Sequence, residues 1–267
     1  GLESYYTYQT QSAGRAGTGY ISDHMQRLTF VVPLLSSDSS VMPFGLSLVY
    51  NSGLSRESFG LQQKKNPNEP PDYTRDYRNM LLGSGWKLSA QQTVVECKVG
   101  DETYLVYNDE DGTEHYFRKT ATNTYEDEDG LSLKIVKSTS GGNTIYTMTD
   151  MDKYHTWVFH NGYLISVTDN NSNTIYFAYN AAYSSGGSAW KPVKGSASNR
   201  LVQIVMDINS GSNDNPRTLQ TVADLTYSGD RLSSVTDYAG RSTNYSYDSG
   251  GHLTQVTYAD GTSASYE

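Results

Sequence analysis

The strongest constraint on the fold is a repeat of about 21 residues in the last third of the chain. One copy begins at Tyr227 and the next begins at Tyr247. The same residue types recur at matching positions of the two copies, as Leu232 and Leu253, Val235 and Val256, Gly240 and Gly261, and Tyr245 and Tyr266. A period of this length predicts an array of similar units, each of which buries its apolar side against its neighbours.

Two further copies lie upstream. Leu164 and Val167 repeat the same three-residue step, and the aromatic residue Phe177 follows at the same distance as in the later copies. A degenerate copy begins at Leu201 and is interrupted by the polar stretch 209–216. The array is therefore predicted to start well before the two clearest copies.

Each unit is predicted to be a β-hairpin. Residues three apart in an extended strand do not share a face, so the Leu-x-x-Val step predicts a bend or bulge between the two apolar residues. The segments Asp-x-x-Gly and Ala-Asp-Gly are typical of turns, and we interpret Asp237 and Asp248 as turn formers. Tyr245 and Tyr247 then place two rings on one face of a strand.

The rest of the chain also favours strands. Apolar residues alternate with others at 28–34 and at 44–50, which predicts an antiparallel hairpin, and the polar segment 61–79 predicts a long exposed loop. No stretch has a helical period, so we predict an all-β fold of antiparallel hairpin repeats in a twisted, curved sheet with very little helix. We assign three parts: a lead-in segment at 1–92, a hairpin region at 93–160 and the repeats at 161–267.

Composition excludes several classes of function. The formal net charge is −9 and no basic cluster longer than Lys64-Lys65 occurs, which argues against binding to nucleic acid. No apolar run is long enough to cross a membrane. Cys97 is the only cysteine, so the sequence excludes an internal disulfide framework and a cysteine-rich metal site. The 23 tyrosines suit strands that have one packed face and one wet face.

The repeat resembles that of a known family. The pattern Gly-x-Leu-x-x-Val-Thr-Asp-x-x-Gly, followed by Tyr-x-Tyr-Asp, resembles the YD repeat of bacterial Rhs proteins, of the shells of insecticidal toxin complexes and of animal teneurins. Tyr247-Asp248 is the defining dipeptide, and 161–180 is similar to a variant copy. The segments 16–20, 48–52 and 83–88 resemble the lead-in segments of wall-associated Rhs-like proteins.

The resemblance implies a structural function. YD-repeat chains form long spiralling β-sheets that can close into a hollow shell, which in bacteria commonly encloses a variable C-terminal toxin. The parent protein is secreted or lies at the bacterial cell surface. We therefore expect a non-catalytic scaffold fragment whose partners are the remainder of the parent repeat protein, an enclosed toxin or cell-surface glycans. Its few repeats are not enough to form a closed shell alone.

The histidines show no catalytic or metal-binding motif. The five are His24, His115, His155, His160 and His252. His155 and His160 flank the strand 156–159, but we expect residues five apart to point to opposite faces of that strand and not to share a metal. We expect no enzyme activity, no cofactor and no metal site.

Two acidic segments have an alternative interpretation. Residues 109–111 and 127–129 could ligate Ca²⁺ or act as a glycosidase pair. The EF-hand pattern fails, because Tyr107 and Tyr125 stand where the first Asp should be. Asp-Gly pairs are typical of hairpin turns, so we interpret both segments as solvated turns.

The aromatic residues allow a second function. Trp157, Trp190 and the repeat tyrosines could stack on sugar rings, or they could form the core and the contacts between units. Three hypotheses follow, in this order: a β-sheet scaffold, a glycan-binding adhesion module and a glycan-active enzyme.

The last copy ends at Tyr266 without a recognisable cap, although a terminal repeat normally needs one. We therefore expect the final strand to be an unprotected edge with exposed Tyr rings. We also expect the repeat from about Asp248 onward to be the least stable part of the array.

Overall fold

The computed structural model describes residues 8–22, 28–37, 42–52, 82–83, 85–99, 101–196, 198–209 and 217–267. The predicted polar loop at 61–79 lies outside them. Strands account for 62% of the described residues, and the helical structure among these is the short 3-10 turn Gly14–Ala16. The prediction of an all-β fold is confirmed. The described part of the chain has no helix that is long and apolar enough to cross a membrane.

Five antiparallel strands form the first sheet. They are neighbours in chain order: β1 (Tyr8–Ser12), β2 (Thr18–Ser22), β3 (Leu28–Ser37), β4 (Phe44–Asn51) and β5 (Trp86–Leu88). The hairpin predicted from 28–34 and 44–50 corresponds to β3 and β4. Leu46 and Leu48 alternate with more exposed residues along β4 and are fully buried, as expected for a strand with one packed face.

Fifteen strands form the second, larger sheet. The first eight are β6 (Thr93–Val99), β7 (Glu102–Asn108), β8 (Glu114–Ala121), β9 (Thr124–Asp127), β10 (Leu133–Ser140), β11 (Asn143–Asp150), β12 (Thr156–His160) and β13 (Tyr163–Thr168). The next seven are β14 (Thr174–Tyr179), β15 (Leu201–Asn209), β16 (Arg217–Ser228), β17 (Arg231–Asp237), β18 (Ser242–Tyr247), β19 (Leu253–Thr257) and β20 (Ser263–Ser265). All pairs are antiparallel, and most join consecutive strands.

Strands β6 to β13 close into a ring. β13 pairs with β12 and also with β6, where Tyr163 lies opposite Thr93. Alternate side chains point into the ring, and Leu105, Phe117 and Ile135 have no exposed surface there. The ring includes β13, which carries the first copy of the repeat. The assigned division of the chain at 92 and 160 stays a prediction.

The sheet continues from β13 through β14 to β20 as an open array. In the copy that contains Leu232 and Val235, Tyr227 lies opposite Leu232 and the register then shifts by one residue. Ser233 is therefore an extra residue in β17, and this bulge turns both apolar side chains to one face. Leu232 is 0% exposed and Val235 is 2% exposed. The predicted bulge is confirmed.

The same bulge recurs in the other copies. The extra residue is Ile165, Val202 or Thr254, and in each case it directly follows the Leu of the repeat. The degenerate copy has this geometry as well, and both of its apolar residues, Leu201 and Ile204, are fully buried. The bulge is therefore present even in the copy whose sequence departs most from the repeat.

The sequence predicts exposed tyrosine rings in the last copy, but in the structure these rings are buried or partly buried. β20 is the final strand of the larger sheet. Tyr258 is only 6% exposed, and the Tyr266 ring packs against Trp86 and Phe30 of the first sheet, with centroid distances of 5.0 and 6.3 Å. The expectation of exposed rings was wrong because the first sheet, which is distant in sequence, covers them.

We predict that Leu232→Ala lowers the free energy of unfolding by about 2–5 kcal/mol, because it removes a fully buried side chain beside the bulge and leaves a cavity. Asn244→Ala, which changes an exposed residue of the neighbouring strand β18, is the control and should cost less than about 0.5 kcal/mol. Chemical denaturation measures both values. Equal losses for the two variants would contradict the buried position of Leu232.

Candidate functional site

Asp side chains close two turns of the repeats. The carboxylate of Asp237 accepts hydrogen bonds from the backbone N–H groups of Ala239 and Arg241, each at 2.9 Å. The carboxylate of Asp248 accepts one from the N–H of His252, also at 2.9 Å. The interpretation of Asp237 and Asp248 as turn formers is confirmed.

Tyrosine hydroxyls link one bulge to the next. The Tyr247 hydroxyl donates to the carbonyl oxygen of Leu232 at 2.8 Å, while the Tyr247 backbone lies opposite Leu253 of the following copy. Tyr227 makes the same connection between Leu201 and Leu232, with a hydroxyl distance of 2.7 Å. This tyrosine row therefore runs across β15 to β19 and ties three successive bulges together.

Arginine side chains cover the rings of the tyrosine row. The guanidinium carbons of Arg200 and Arg231 each lie 5.3 Å from a ring centroid, above Tyr227 and Tyr247 respectively. A Cβ atom at Gly251, which has a φ of +86°, would collide with the guanidinium of Arg231. Burial raises the pKa of both tyrosines, so their hydroxyls stay protonated and act as donors at neutral pH.

The other repeat residues build the sheet and its turns. The side chains that face the core are buried: Leu164, Leu232, Val235, Tyr245, Leu253 and Val256. Three are partly buried: Val167, Tyr247 and Tyr266. Three lie exposed in turns: Gly240, Asp248 and Gly261. Their common role is therefore packing and turn formation.

A buried polar cluster joins the first sheet to the ring. Lys87 of β5 is fully buried, and its ammonium donates to the backbone oxygen of Asp109 in the turn between β7 and β8. Asn51 of β4 donates to the backbone oxygen of Asp111 in the same turn at 2.9 Å. Burial lowers the pKa of Lys87 to about 8, although the carboxylates of Asp109, Asp111 and Glu110 act in the opposite direction.

His115 connects the two acidic segments. Its Nε2 lies 3.0 Å from Oδ2 of Asp109, and its Nδ1 lies 3.2 Å from Oδ2 of Asp129. The buried ring stacks on Tyr107, with centroids 5.7 Å apart. Burial alone would raise the pKa of Asp109, but the hydrogen bond to His115 and the nearby Lys87 lower it to about 2. Asp109 is therefore ionised at neutral pH.

At least one carboxylate in each acidic segment accepts hydrogen bonds from backbone N–H groups. Oδ1 of Asp109 accepts from the N–H groups of Asp111 and Thr113 at 3.1 and 2.9 Å. Oδ1 of Asp127 accepts from the N–H of Leu133 at 2.6 Å. Within the described residues, no group of three or more His, Cys, Asp or Glu side chains could hold a metal ion. The backbone hydrogen bonds of Asp109 and Asp127 place both segments in turns.

Sequence reasoning missed this cluster. Lys87 contacts a turn that is 22 residues away, and a single lysine in the lead-in segment gives no sign that it is buried. The cluster also borders buried amide groups without hydrogen-bond partners, at both Oδ1 and Nδ2 of Asn108 and at Nε2 of Gln91. Polar residues at core positions were the one available signal, but the sequence does not show which positions are core.

The two tryptophans considered for sugar stacking have different surroundings. Trp190 is 4% exposed and packs against Tyr176 and Tyr183, with centroids 5.9 and 5.1 Å apart. Its ring is therefore part of the core and is not accessible to a sugar. Trp157, near the start of β12, is only partly buried and lies beside His155, with centroids 6.2 Å apart.

His155 and His160 also have separate surroundings. His160 is buried, and its Nδ1 lies 3.1 Å from the backbone oxygen of Pro192. Burial lowers the pKa of His160, so this ring stays neutral at physiological pH. His155 is partly exposed next to Trp157.

A groove of about 380 Å³ lies between the first sheet and the repeats. Two ion pairs line it, Arg15 with Asp260 and Arg241 with Asp237. Hydrogen bonds from Thr262 and Arg15 lower the pKa of Asp260. Partial burial raises the pKa of Asp237, but hydrogen bonds from Arg241 outweigh this effect and the net shift is downward.

The groove carboxylates do not form an acid–base pair. A glycosidase needs one carboxyl group whose pKa is raised so that it can act as a general acid. Asp237 and Asp260 both have a pKa below the ordinary value, so both are ionised at neutral pH. The groove therefore presents two ionised carboxylates, each paired with an arginine.

Comparison with known families gives a match in the repeat region. Residues 228–263 match the RHS Repeat family. This match confirms the resemblance to Rhs and YD-repeat proteins that the sequence indicates. No curated protein sequence matches the chain.

Two solved structures are similar to the chain at low sequence identity. The N-terminal domain of the effector protein SpvB from Salmonella typhimurium strain LT2 is 12% identical with a TM-score of 0.37, and the match covers 89% of this chain and 98% of that one. The Photorhabdus luminescens Tc holotoxin pore is 10% identical with a TM-score of 0.39. That match covers 97% of this chain but 16% of the toxin chain, so this chain spans a small part of its length.

We predict that the stability difference between the wild type and Lys87→Met changes with pH. The unfolded chain holds the Lys87 proton up to about pH 10.5, whereas the folded chain releases it at about pH 8. The unfolded chain therefore binds more protons between these values, and the stability of the folded wild type rises with pH there. We expect the wild type to gain about 2 kcal/mol relative to the variant between about pH 8 and 9.5.

Urea denaturation at several pH values from about 7 to 9.5 measures this difference. Lys98→Met, which changes an exposed lysine of β6, is the control and should show no comparable dependence on pH. A constant difference between Lys87→Met and the wild type over this range would contradict the lowered pKa of Lys87.

Proposed function

We propose that this chain, which carries an RHS repeat at residues 228–263, is a non-catalytic scaffold segment of a larger Rhs-type protein. The observation that carries the proposal is the tyrosine row, which ties each bulged hairpin to the next. Such a row can continue through any number of hairpins, because each hairpin presents the same contact surface to the next one. It suits a sheet that further repeats extend, as in a shell or a stalk.

The proposed partners follow from this role. The remainder of the parent repeat protein would meet the array at β20, the last strand of the larger sheet. An enclosed C-terminal toxin or cell-surface glycans would meet its faces. We place the parent protein outside the bacterial cell or at its surface, and this placement rests on the RHS repeat.

A glycan-binding adhesion module is the second candidate function. It is favoured by Trp157, whose ring is partly exposed, and not by Trp190, whose ring is buried. A glycan-active enzyme has less support, because both carboxylates of the groove have a lowered pKa. These observations leave the scaffold as the function that the geometry supports best.

We predict that Tyr247→Phe speeds amide hydrogen exchange in both copies that the hydroxyl joins, around Leu232 and around Leu253. The loss of one hydrogen bond costs about 1 kcal/mol, which corresponds to about fivefold faster exchange where opening breaks that bond. Ser246→Ala, an exposed neighbour on the same strand, is the control. Faster exchange at only one of the two copies would contradict the continuous tyrosine row.

A glycan array separates the scaffold from the adhesion module. For a scaffold segment we expect that the wild type retains no saccharide. Binding that Trp157→Ala abolishes, and that substitution of the exposed ring in Tyr154→Ala leaves unchanged, would establish the adhesion module instead.

A further inference from the structure

The turn Gly14–Ala16, which joins β1 to β2 of the first sheet, contacts one hairpin of the array through Arg15. The Tyr258 hydroxyl donates to the backbone oxygen of Arg15 at 2.9 Å, and the guanidinium carbon of Arg15 lies 4.1 Å from the centroid of the Tyr258 ring. The same guanidinium pairs with Asp260 and donates to Oγ1 of Thr262 at 2.8 Å. A single turn of the last copy, residues 258–262, therefore contacts both the charge and the backbone of Arg15.

The preceding copy has a turn with the same backbone hydrogen bond. The N–H of Tyr258 bonds to the carbonyl oxygen of Thr262 at 2.8 Å, and the N–H of Asp237 bonds to the carbonyl oxygen of Arg241 at 2.9 Å. The two turns therefore differ mainly in their side chains.

Those side chains differ at the three positions that contact Arg15. The last copy has Tyr258, Asp260 and Thr262. Two other copies have different residues there. These are Asp237, Ala239 and Arg241 in the preceding copy, and Asp169, Asn171 and Asn173 in the copy that contains Leu164. The contact with Arg15 thus coincides with the point where the last copy departs from the repeat.

Each of these three side-chain differences favours a contact between Arg15 and the turn of the last copy. A Tyr ring offers a cation its π face, whereas the Asp that occupies this position elsewhere is used to close its own turn. Asp260 adds an opposite charge that Ala239 does not provide. An arginine in place of Thr262, as at Arg241, would set two guanidinium groups against each other, and like charges repel.

We infer that turn 258–262 is a recognition site for the turn Gly14–Ala16 of the first sheet, and that its side chains select this hairpin among the repeats as the one to which that turn binds. The partner that fits the site is a tight turn that presents an arginine and outward-facing carbonyl oxygens. A second such oxygen, that of Ala16, accepts from the Tyr266 hydroxyl at 3.2 Å. The recognition is independent of the scaffold role, because a sheet could be extended without it.

The triple substitution Tyr258→Asp, Asp260→Ala and Thr262→Arg tests this inference, because it gives the last turn the side chains of the preceding turn. We expect amide hydrogen exchange in β1 to β3 to become about tenfold faster or more, and exchange in β17 and β18 to stay unchanged. Ala239→Ser, at an exposed position of the preceding turn that does not line the groove, is the control and should leave exchange in β1 to β3 unchanged.

Arg15→Ala changes the other side of the contact and keeps the test decisive if the triple variant folds poorly. It should accelerate exchange in the same strands, β1 to β3, and adding it to the triple variant should have little further effect. Unchanged exchange of β1 to β3 in Arg15→Ala would overturn the inference. Acceleration spread equally over β17 and β18 would also overturn it, since the turn would then stabilise the array as a whole.

Discussion

The extra residue between the Leu and the Val of each copy is the constraint on which the array depends. In a regular strand these two residues would face opposite sides, and only one of them could be buried. The bulge brings Leu232 and Val235 to the same face and interrupts the regular ladder of backbone hydrogen bonds. The carbonyl oxygen of Leu232 then accepts a hydrogen bond from the hydroxyl of Tyr247. Apolar burial and the contact between copies thus arise from one backbone irregularity.

The features that the sequence predicts correctly are local ones. The bulge follows from a three-residue step between apolar residues, and the turns follow from the position of Asp237 and Asp248 relative to glycine. Ring closure could not be predicted, because the pairing of Tyr163 with Thr93 leaves no periodic trace. The cover over Tyr266 was missed for the same reason. Contacts between segments that are distant along the chain depend on how the sheets pack against each other. A periodic sequence pattern indicates only contacts between neighbouring repeats.

The buried polar cluster shows how two similar acidic turns acquire different surroundings. The first turn receives the ammonium of Lys87 at the carbonyl of Asp109 and shares His115 with the second, whereas the Asp127 carboxylate of the second binds its own backbone. A buried lysine has a high desolvation cost, and nearby carboxylates offset part of it. The ammonium of Lys87 thus lies at the backbone oxygen of Asp109, beside the carboxylates of the first turn. The candidate cluster could not be predicted because this complementarity lies between two sheets.

The closed ring makes the two ends of the larger sheet different. Among its described strands, β12 and β6 both pair with β13, β6 at the single pair Thr93 and Tyr163, and the further strands continue from β13 toward β20. The sheet is therefore asymmetric: one end closes on itself, and the other end can accept another strand. At the open end β20 has only three residues, so the edge that it offers for strand-to-strand association between molecules is short.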